Sequence, residues 1–110
     1  MKPIPKKLLI HTAELSKVTL GDYNIRELTD TVKLEHIRVE PCSSAVTAKD
    51  NRQLSASYRL FYDCVSSSPQ GVTFGIDMCV SYDGEEFRIA EVKKFSDENR
   101  LHHIEVMLCR

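Results

Sequence analysis

The stretch that decides the fold class runs from residue 54 to residue 64 and reads Leu54-Ser55-Ala56-Ser57-Tyr58-Arg59-Leu60-Phe61-Tyr62-Asp63-Cys64. Its even positions are apolar or aromatic, and its odd positions are polar except for Phe61. Successive side chains of a strand point to opposite faces of a sheet, so this alternation predicts a half-buried β-strand with its even face inward. Phe61 breaks the pattern, which predicts a second contact on the outer face or an interface.

The chain that follows predicts three consecutive antiparallel strands. Residues 76–82 alternate in the same way and lead into Asp83-Gly84, a dipeptide typical of a two-residue hairpin turn because both positions need positive φ. Residues 85–92 predict the return strand, and their apolar face changes sides midway, which indicates a bulge. Residues 94–99 are polar and predict a turn before a last strand over 100–108.

The chain before residue 54 is less regular. Residues 7–14 predict a strand, and 32–40 predict another whose apolar positions shift partway, which indicates a bulge near Glu35 or His36. Pro41 is expected to end that strand because proline cannot donate to a sheet ladder.

Residues 15–31 leave two alternatives open. Residues 18–20 favour a short strand, whereas 24–31 are compatible with one or two helical turns, and Gly21-Asp22 indicates a turn between them.

These elements predict an all-β fold, a small antiparallel barrel or sandwich of about six strands with long loops and at most one short helix. We expect one domain over residues 1–110, with an extended N-terminal arm over 1–7 because prolines stand at positions 3 and 5. The polar stretches 42–52 and 66–71 predict two long loops, which in a small domain usually carry function.

The composition excludes several classes of protein. The 110 residues are 42% hydrophobic and 28% charged, which is ordinary for a soluble globular domain. The formal net charge of −1 gives no global attraction to nucleic acid or to an anionic membrane. No apolar run reaches the length of a membrane span or of a secretory signal, so we expect synthesis in the cytosol and four reduced cysteines.

No catalytic, cofactor or metal site is predicted. The four histidines lack zinc-ligand spacing, no Gly-x-Ser-x-Gly elbow or glycine-rich phosphate loop is present, and the acidic residues are dispersed. The feature closest to a nucleic-acid site is Phe61 beside Arg59 on one outer strand face, because bases stack on exposed aromatic side chains among cations. A small β-barrel module that binds nucleic acid or a host protein is therefore the alternative reading.

Four segments of the chain resemble a known family when they are read in order. They are Met1-Lys2-Pro3-Ile4-Pro5-Lys6-Lys7-Leu8-Leu9-Ile10-His11; Ile37-Arg38-Val39-Glu40-Pro41 with Ser43-Ser44 and Lys49-Asp50-Asn51; Leu60-Phe61-Tyr62-Asp63-Cys64 with Ser68-Pro69; and Leu101-His102-His103-Ile104-Glu105-Val106. Together they resemble the minor capsid proteins of tailed bacteriophages and prophages of Gram-positive bacteria. The match covers nearly the whole chain, and residues 15–31 and 72–80 match least well.

The resemblance implies a structural role in the virion. It implies a head-completion or head-closure component of the head–tail connector, made in the bacterial cytoplasm and assembled as a ring between portal and tail. The implied partners are portal, adaptor and tail-side proteins and further copies of the chain, with packaged DNA nearby and no membrane or small-molecule substrate.

That role directs attention to the arm and the two loops as contact or gating segments. The expected interaction residues are Lys2, Lys6 and Lys7 in the arm; Ser43, Ser44, Lys49, Asp50, Asn51 and Arg52 in the first loop; Ser66, Ser67, Ser68 and Pro69 in the second loop; and Phe61 on the outer face.

Overall fold

In the described part of the chain, six antiparallel strands form one sheet that closes on itself. The computed structural model describes residues 4–47, 53–98 and 100–110. The strands are β1 (His11–Leu20), β2 (Arg26–Thr47), β3 (Gln53–Asp63), β4 (Met78–Tyr82), β5 (Glu85–Asp97) and β6 (Arg100–Cys109), and two 3₁₀ turns lie at Lys6–Leu8 and Asp22–Asn24. The strand order is β1-β2-β3-β6-β5-β4, with β4 paired back to β1. The predicted all-β fold of about six antiparallel strands is confirmed.

The alternation along β3 places its even side chains in the core, as predicted. Ala56, Leu60 and Tyr62 are buried, and Leu60 lies between Val39 of β2 and Val106 of β6 in the ladder. The main core contains the following buried side chains: Ala13, Leu15, Leu34, Ile37, Val39, Leu60, Tyr62, Phe74, Val80, Phe87, Ile89, Ile104, Val106 and Leu108.

The meander of β4, β5 and β6 is also as predicted, apart from the length of β5. Asp83 and Gly84 have φ values of 51° and 79°, as the two-residue turn requires. The register shift between Ile89 and Glu91 shows the expected bulge at mid-strand. The predicted turn over 94–99 is wrong in its bounds, because β5 continues to Asp97 and pairs with β6 as far as Arg100.

Strand β2 is longer than predicted at both ends. The bulge near Glu35 and His36 is confirmed by a register shift and by a φ of 55° at His36. Pro41 does not end the strand: it stands opposite Tyr58, and β2 continues to Thr47. The ladder is irregular between Pro41 and Ser44, and such an irregularity accommodates a residue that has no N–H to donate.

The ambiguous residues 15–31 are strand around a short turn. The helical alternative for 24–31 is wrong, because Arg26 to Thr29 pair with Leu20 to Lys17. The first strand begins at His11 rather than at Lys7, since Lys6–Leu8 forms a 3₁₀ turn.

The β1–β2 hairpin extends past the barrel. Residues 14–17 of β1 pair with β4, and all of them except Ser16 also pair with β2, whereas 18–20 pair with β2 alone. Asp30, with a φ of 52°, stands at a second bulge where the hairpin leaves the barrel. The molecule is consequently elongated, with principal extents of 47 × 28 × 27 Å.

Candidate functional site

Two of the predicted contact segments, the N-terminal arm and the second loop, meet at one buried carboxylate. Asp63 ends β3 and is 0% exposed. Its Oδ2 accepts the backbone N–H of Ile4 at 2.7 Å, and its Oδ1 accepts the N–H groups of Val65 and Ser66 at 2.8 Å each. Burial alone would raise the pKa of Asp63, but these three donors outweigh it and lower the pKa below its ordinary value.

The second loop is held on the barrel by Ser67. This side chain is 1% exposed; its hydroxyl donates to the carbonyl of His36 and accepts the N–H of Asp63. Ser68 pairs with Glu35 through both backbone groups. The side chain of Ser67 is thus enclosed because it satisfies backbone groups at the β2 bulge, and its contact with a partner stays a prediction.

The rest of that loop is more accessible. Ser66 and Ser68 are half-buried, while Pro69 is exposed and follows a cis peptide bond. The carbonyl of Pro69 accepts the hydroxyl of Tyr62 from the core. Val65, 48% exposed, is the large apolar side chain that this loop presents to solvent.

The described part of the N-terminal arm, residues 4–7, lies against the barrel. Besides the bond from Ile4 to Asp63, Leu9 is buried, and Arg38 Nη1 donates to the carbonyl of Leu8 at 3.2 Å. Lys7 is exposed in the 3₁₀ turn, and Lys6 lies in the same turn. Lys2 lies outside the described residues. Backbone and side-chain hydrogen bonds thus hold residues 4–8 against the barrel, and the role of the predicted arm over 1–7 as a contact segment stays a prediction.

The first loop is shorter than predicted. Ser43 and Ser44 belong to β2, and the ladder continues from Ser44 opposite Ala56 to Thr47 opposite Gln53. Ser43 is exposed. The remaining expected residues, Lys49, Asp50, Asn51 and Arg52, lie outside the described residues.

The outer-face pair Phe61 and Arg59 is part of a charged network. Phe61 is half-buried between Arg38 of β2 and Glu105 of β6 in the ladder. Arg59 Nε lies 3.6 Å from Glu105 Oε1, and Glu105 also contacts His103 Nε2 at 3.1 Å. The guanidinium of Arg59 therefore lies within ion-pair distance of a carboxylate, although its buried Nε has no hydrogen-bond partner, and this carboxylate weakens the case for a phosphate-binding stack at this position.

The sequence reading missed two features. The alternation assigns Asp63 to the polar outer face, but its side chain is buried. At the end of a strand, an aspartate commonly accepts the N–H groups of the residues two and three positions later, and this arrangement is typical of an Asx turn. The hairpin tip was also missed: its apolar side chains Leu20, Tyr23, Ile25 and Leu28 are exposed, in the segment whose secondary structure was ambiguous. The signal in the sequence for this exposed tip was a cluster of apolar residues in a segment without clear periodicity.

Burial disfavours the reactive form of two cysteine thiols. All four cysteines are free thiols, and burial raises the pKa of Cys64 and of Cys79, which disfavours the reactive thiolate. Within residues 4–47, 53–98 and 100–110, no three His, Cys, Asp or Glu side chains are grouped to hold a metal ion. Over the same ranges, no helix has the length and apolar character needed to cross a membrane.

One comparison with known proteins identifies a family. The model of a family described as minor capsid protein matches residues 5–108, which include β1 to β5 and all of β6 except its last residue, Cys109. No curated protein and no solved structure matches the chain.

Proposed function

The chain belongs to the minor capsid protein family, a family of phage structural proteins, and from this premise we propose that it is a component of the head–tail connector. In this role it completes the head by assembling as a ring between the portal and the tail. It is made in the host cytoplasm, contacts portal, adaptor and tail-side proteins, and lies close to packaged DNA. We also propose that it performs no catalytic step.

The observation that carries the proposal is the family match over residues 5–108. The fold agrees with such a role, because a closed barrel leaves few unpaired strand edges to aggregate, while segments projecting from it can reach neighbouring subunits. The arm and the second loop supply one such region, since both are anchored at Asp63 and present Lys7, Val65 and Pro69 outward.

The test of the proposal is incorporation into particles. The chain is co-expressed with the neighbouring virion genes, and the heads are separated on a sucrose gradient. We expect the protein to sediment with DNA-filled heads or isolated necks. A protein that stays at the top of the gradient and is absent from particles would contradict the structural role.

A charge reversal tests the first loop within the same assay. Lys49→Glu with Arg52→Glu is expected to leave the free energy of unfolding unchanged and to reduce incorporation into particles. The matched control is Lys93→Glu with Lys94→Glu, which reverses two exposed cations on β5. Equal incorporation of both double variants would show that the first loop is not a contact.

The alternative, a nucleic-acid binding module, is tested by retention on single-stranded DNA. Binding through phosphate contacts would weaken steeply with salt and would weaken further in Arg59→Ala. We expect no such retention, because Glu105 already pairs with Arg59.

A further inference from the structure

The tip of the β1–β2 hairpin, residues 18–28, exposes a group of apolar side chains to solvent. Tyr23 is 96% exposed, Leu20 69%, Ile25 60% and Leu28 41%. Single apolar residues at a surface are ordinary, but an exposed group of them marks an interaction site.

The hairpin geometry keeps these side chains uncovered. Pairing with β4 ends at Lys17, so the tip is two strands thick, and two strands alone cannot bury their own apolar residues. Tyr23 has a φ of 60°, a backbone conformation that aromatic residues seldom adopt. Residues with such strained backbone conformations cluster at functional sites.

A second exposed apolar patch lies before the other end of β1. Leu8 is 44% exposed and Ile10 is 69% exposed. Residues 11–17 of β1 separate this patch from the hairpin tip, a span of about 23 Å at the rise of an extended strand.

The two patches carry opposite charges at their margins. Asp22 and Glu27 are exposed in the tip, whose cation Arg26 is paired with Glu86 of β5, whereas Lys7 is exposed beside Leu8. A tip placed against a second tip would bring like carboxylates together, and a tip placed against the Leu8–Ile10 patch brings a carboxylate to an ammonium group.

We infer that the hairpin tip of one copy docks on the Leu8–Ile10 patch of a second copy. The contact joins different surfaces of identical chains, so it repeats from subunit to subunit and builds a ring when the rotation closes. This inference rests on the proposed function, which gives the place where the ring is built. It adds to that function the surfaces that join the subunits of the ring.

Photo-crosslinking of the full-length chain tests this contact. Benzoylphenylalanine replaces Tyr23, and the control places it at Phe95, an exposed aromatic residue of β5. We expect a covalent dimer only from position 23, in concentrated solution or in particles, with the crosslinked peptide of the second copy containing residues 7–10. A crosslink from position 23 to another part of the chain would overturn the inference, as would the absence of a dimer under both conditions.

A charge exchange gives a second measurement that does not depend on the probe. Asp22→Lys is expected to reduce dimer crosslinking about tenfold, and the added change Lys7→Glu in the same chain is expected to restore it. Lys93→Glu in place of Lys7→Glu is the control and should not restore it. Equal yields from the two double variants would contradict the docking.

The two assays separate this inference from the proposed function. A chain that enters particles but crosslinks from position 23 only to other virion proteins overturns the docking and leaves the connector role. A chain that is absent from particles but crosslinks to residues 7–10 of a second copy overturns the connector role and leaves the docking.

Discussion

Asp63 connects three parts of the chain that are far apart in sequence. Its carboxylate holds Ile4 and the start of the second loop, and its own N–H is bound by Ser67, which in turn binds the carbonyl of His36. A carboxylate that accepts several N–H groups in a buried position stabilises the folded state only while all the bonds are made. We therefore expect the arm, the second loop and the β2 bulge to be stable or unstable together.

The Asp63→Asn variant tests this connection. The side-chain amide of asparagine keeps one acceptor oxygen. Its NH₂ group takes the place of the second carboxylate oxygen and cannot accept the N–H that this oxygen accepts in the native chain. We expect a loss of about 1–3 kcal/mol in the free energy of unfolding, measured by urea titration. The control is Asp77→Asn at an exposed position, and equal stability of the two variants would contradict the role of Asp63.

The same carboxylate predicts an acid dependence of stability. Because the folded state lowers the pKa of Asp63 below 3.8, its ordinary value, the ionised form contributes stability above that pH. The contribution is lost as the pH falls through the folded value. Urea titrations from about pH 6 to about pH 2 should show a shallower acid limb in Asp63→Asn than in the native chain. Acid limbs of equal slope in the two chains would contradict the lowered pKa of Asp63.

At the residue scale, the sequence predicts turn chemistry better than it predicts buried polar groups. Asp83 and Gly84 were assigned correctly because the conformation of a two-residue turn depends on those residues alone. The burial of Asp63 and Ser67 depends on Ile4 and His36, which lie 59 and 31 residues away from their respective partners. No local pattern indicates such distant partners.

At the scale of elements, the β4–β5 hairpin depends on the conformation of its turn. Gly84 has a φ of 79°, which an L side chain adopts only with strain, although a Cβ there would meet no other atom. We expect Gly84→Ala to lower the free energy of unfolding by about 1 kcal/mol through the backbone alone. Asp83→Asn is the control and should change stability little, because asparagine tolerates positive φ. A Gly84→Ala chain as stable as the native one would contradict this.

Strand β2 shows why element bounds were harder to predict than element types. Its 22 residues include bulges at Asp30 and His36 and an irregularity after Pro41, and each reverses or interrupts the alternation of faces. Read without pairing partners, such a strand resembles a short strand between loops. β3 lacks these interruptions over residues 56–62, and its alternation was interpreted correctly.

At the scale of the whole molecule, the barrel and the hairpin tip should differ in local stability. Residues 58–61 of β3 pair on both sides and contribute to the core, whereas the strand residues of 18–28 have ladder partners only within the hairpin. We expect amide hydrogens of 18–28 to exchange at least about a hundredfold faster than those of 58–61 in the free chain, measured by mass spectrometry. Equal protection of the two segments would show that the tip is covered in the free chain.

The all-β class and the number of strands were predicted because period-two patterns and turn residues are local. The sequence does not distinguish a barrel from a sandwich, because closure of the sheet depends on the pairing of Glu14–Lys17 with Met78–Ser81. The docking surfaces were missed for a related reason: the exposure of Leu20 and Tyr23 follows from where pairing with β4 stops.

The pairing that closes the barrel also sets an order of events during synthesis. Leu15 of β1 pairs with Val80 of β4, so the first strand to leave the ribosome waits for a partner 65 residues later. At about 5–20 residues per second, that delay is roughly 3–13 seconds. Throughout it, one edge of β1 lacks its eventual partner in the nascent chain. β1 is thus exposed to chaperones and to neighbouring nascent chains, with one edge unpaired, until β4 has been made.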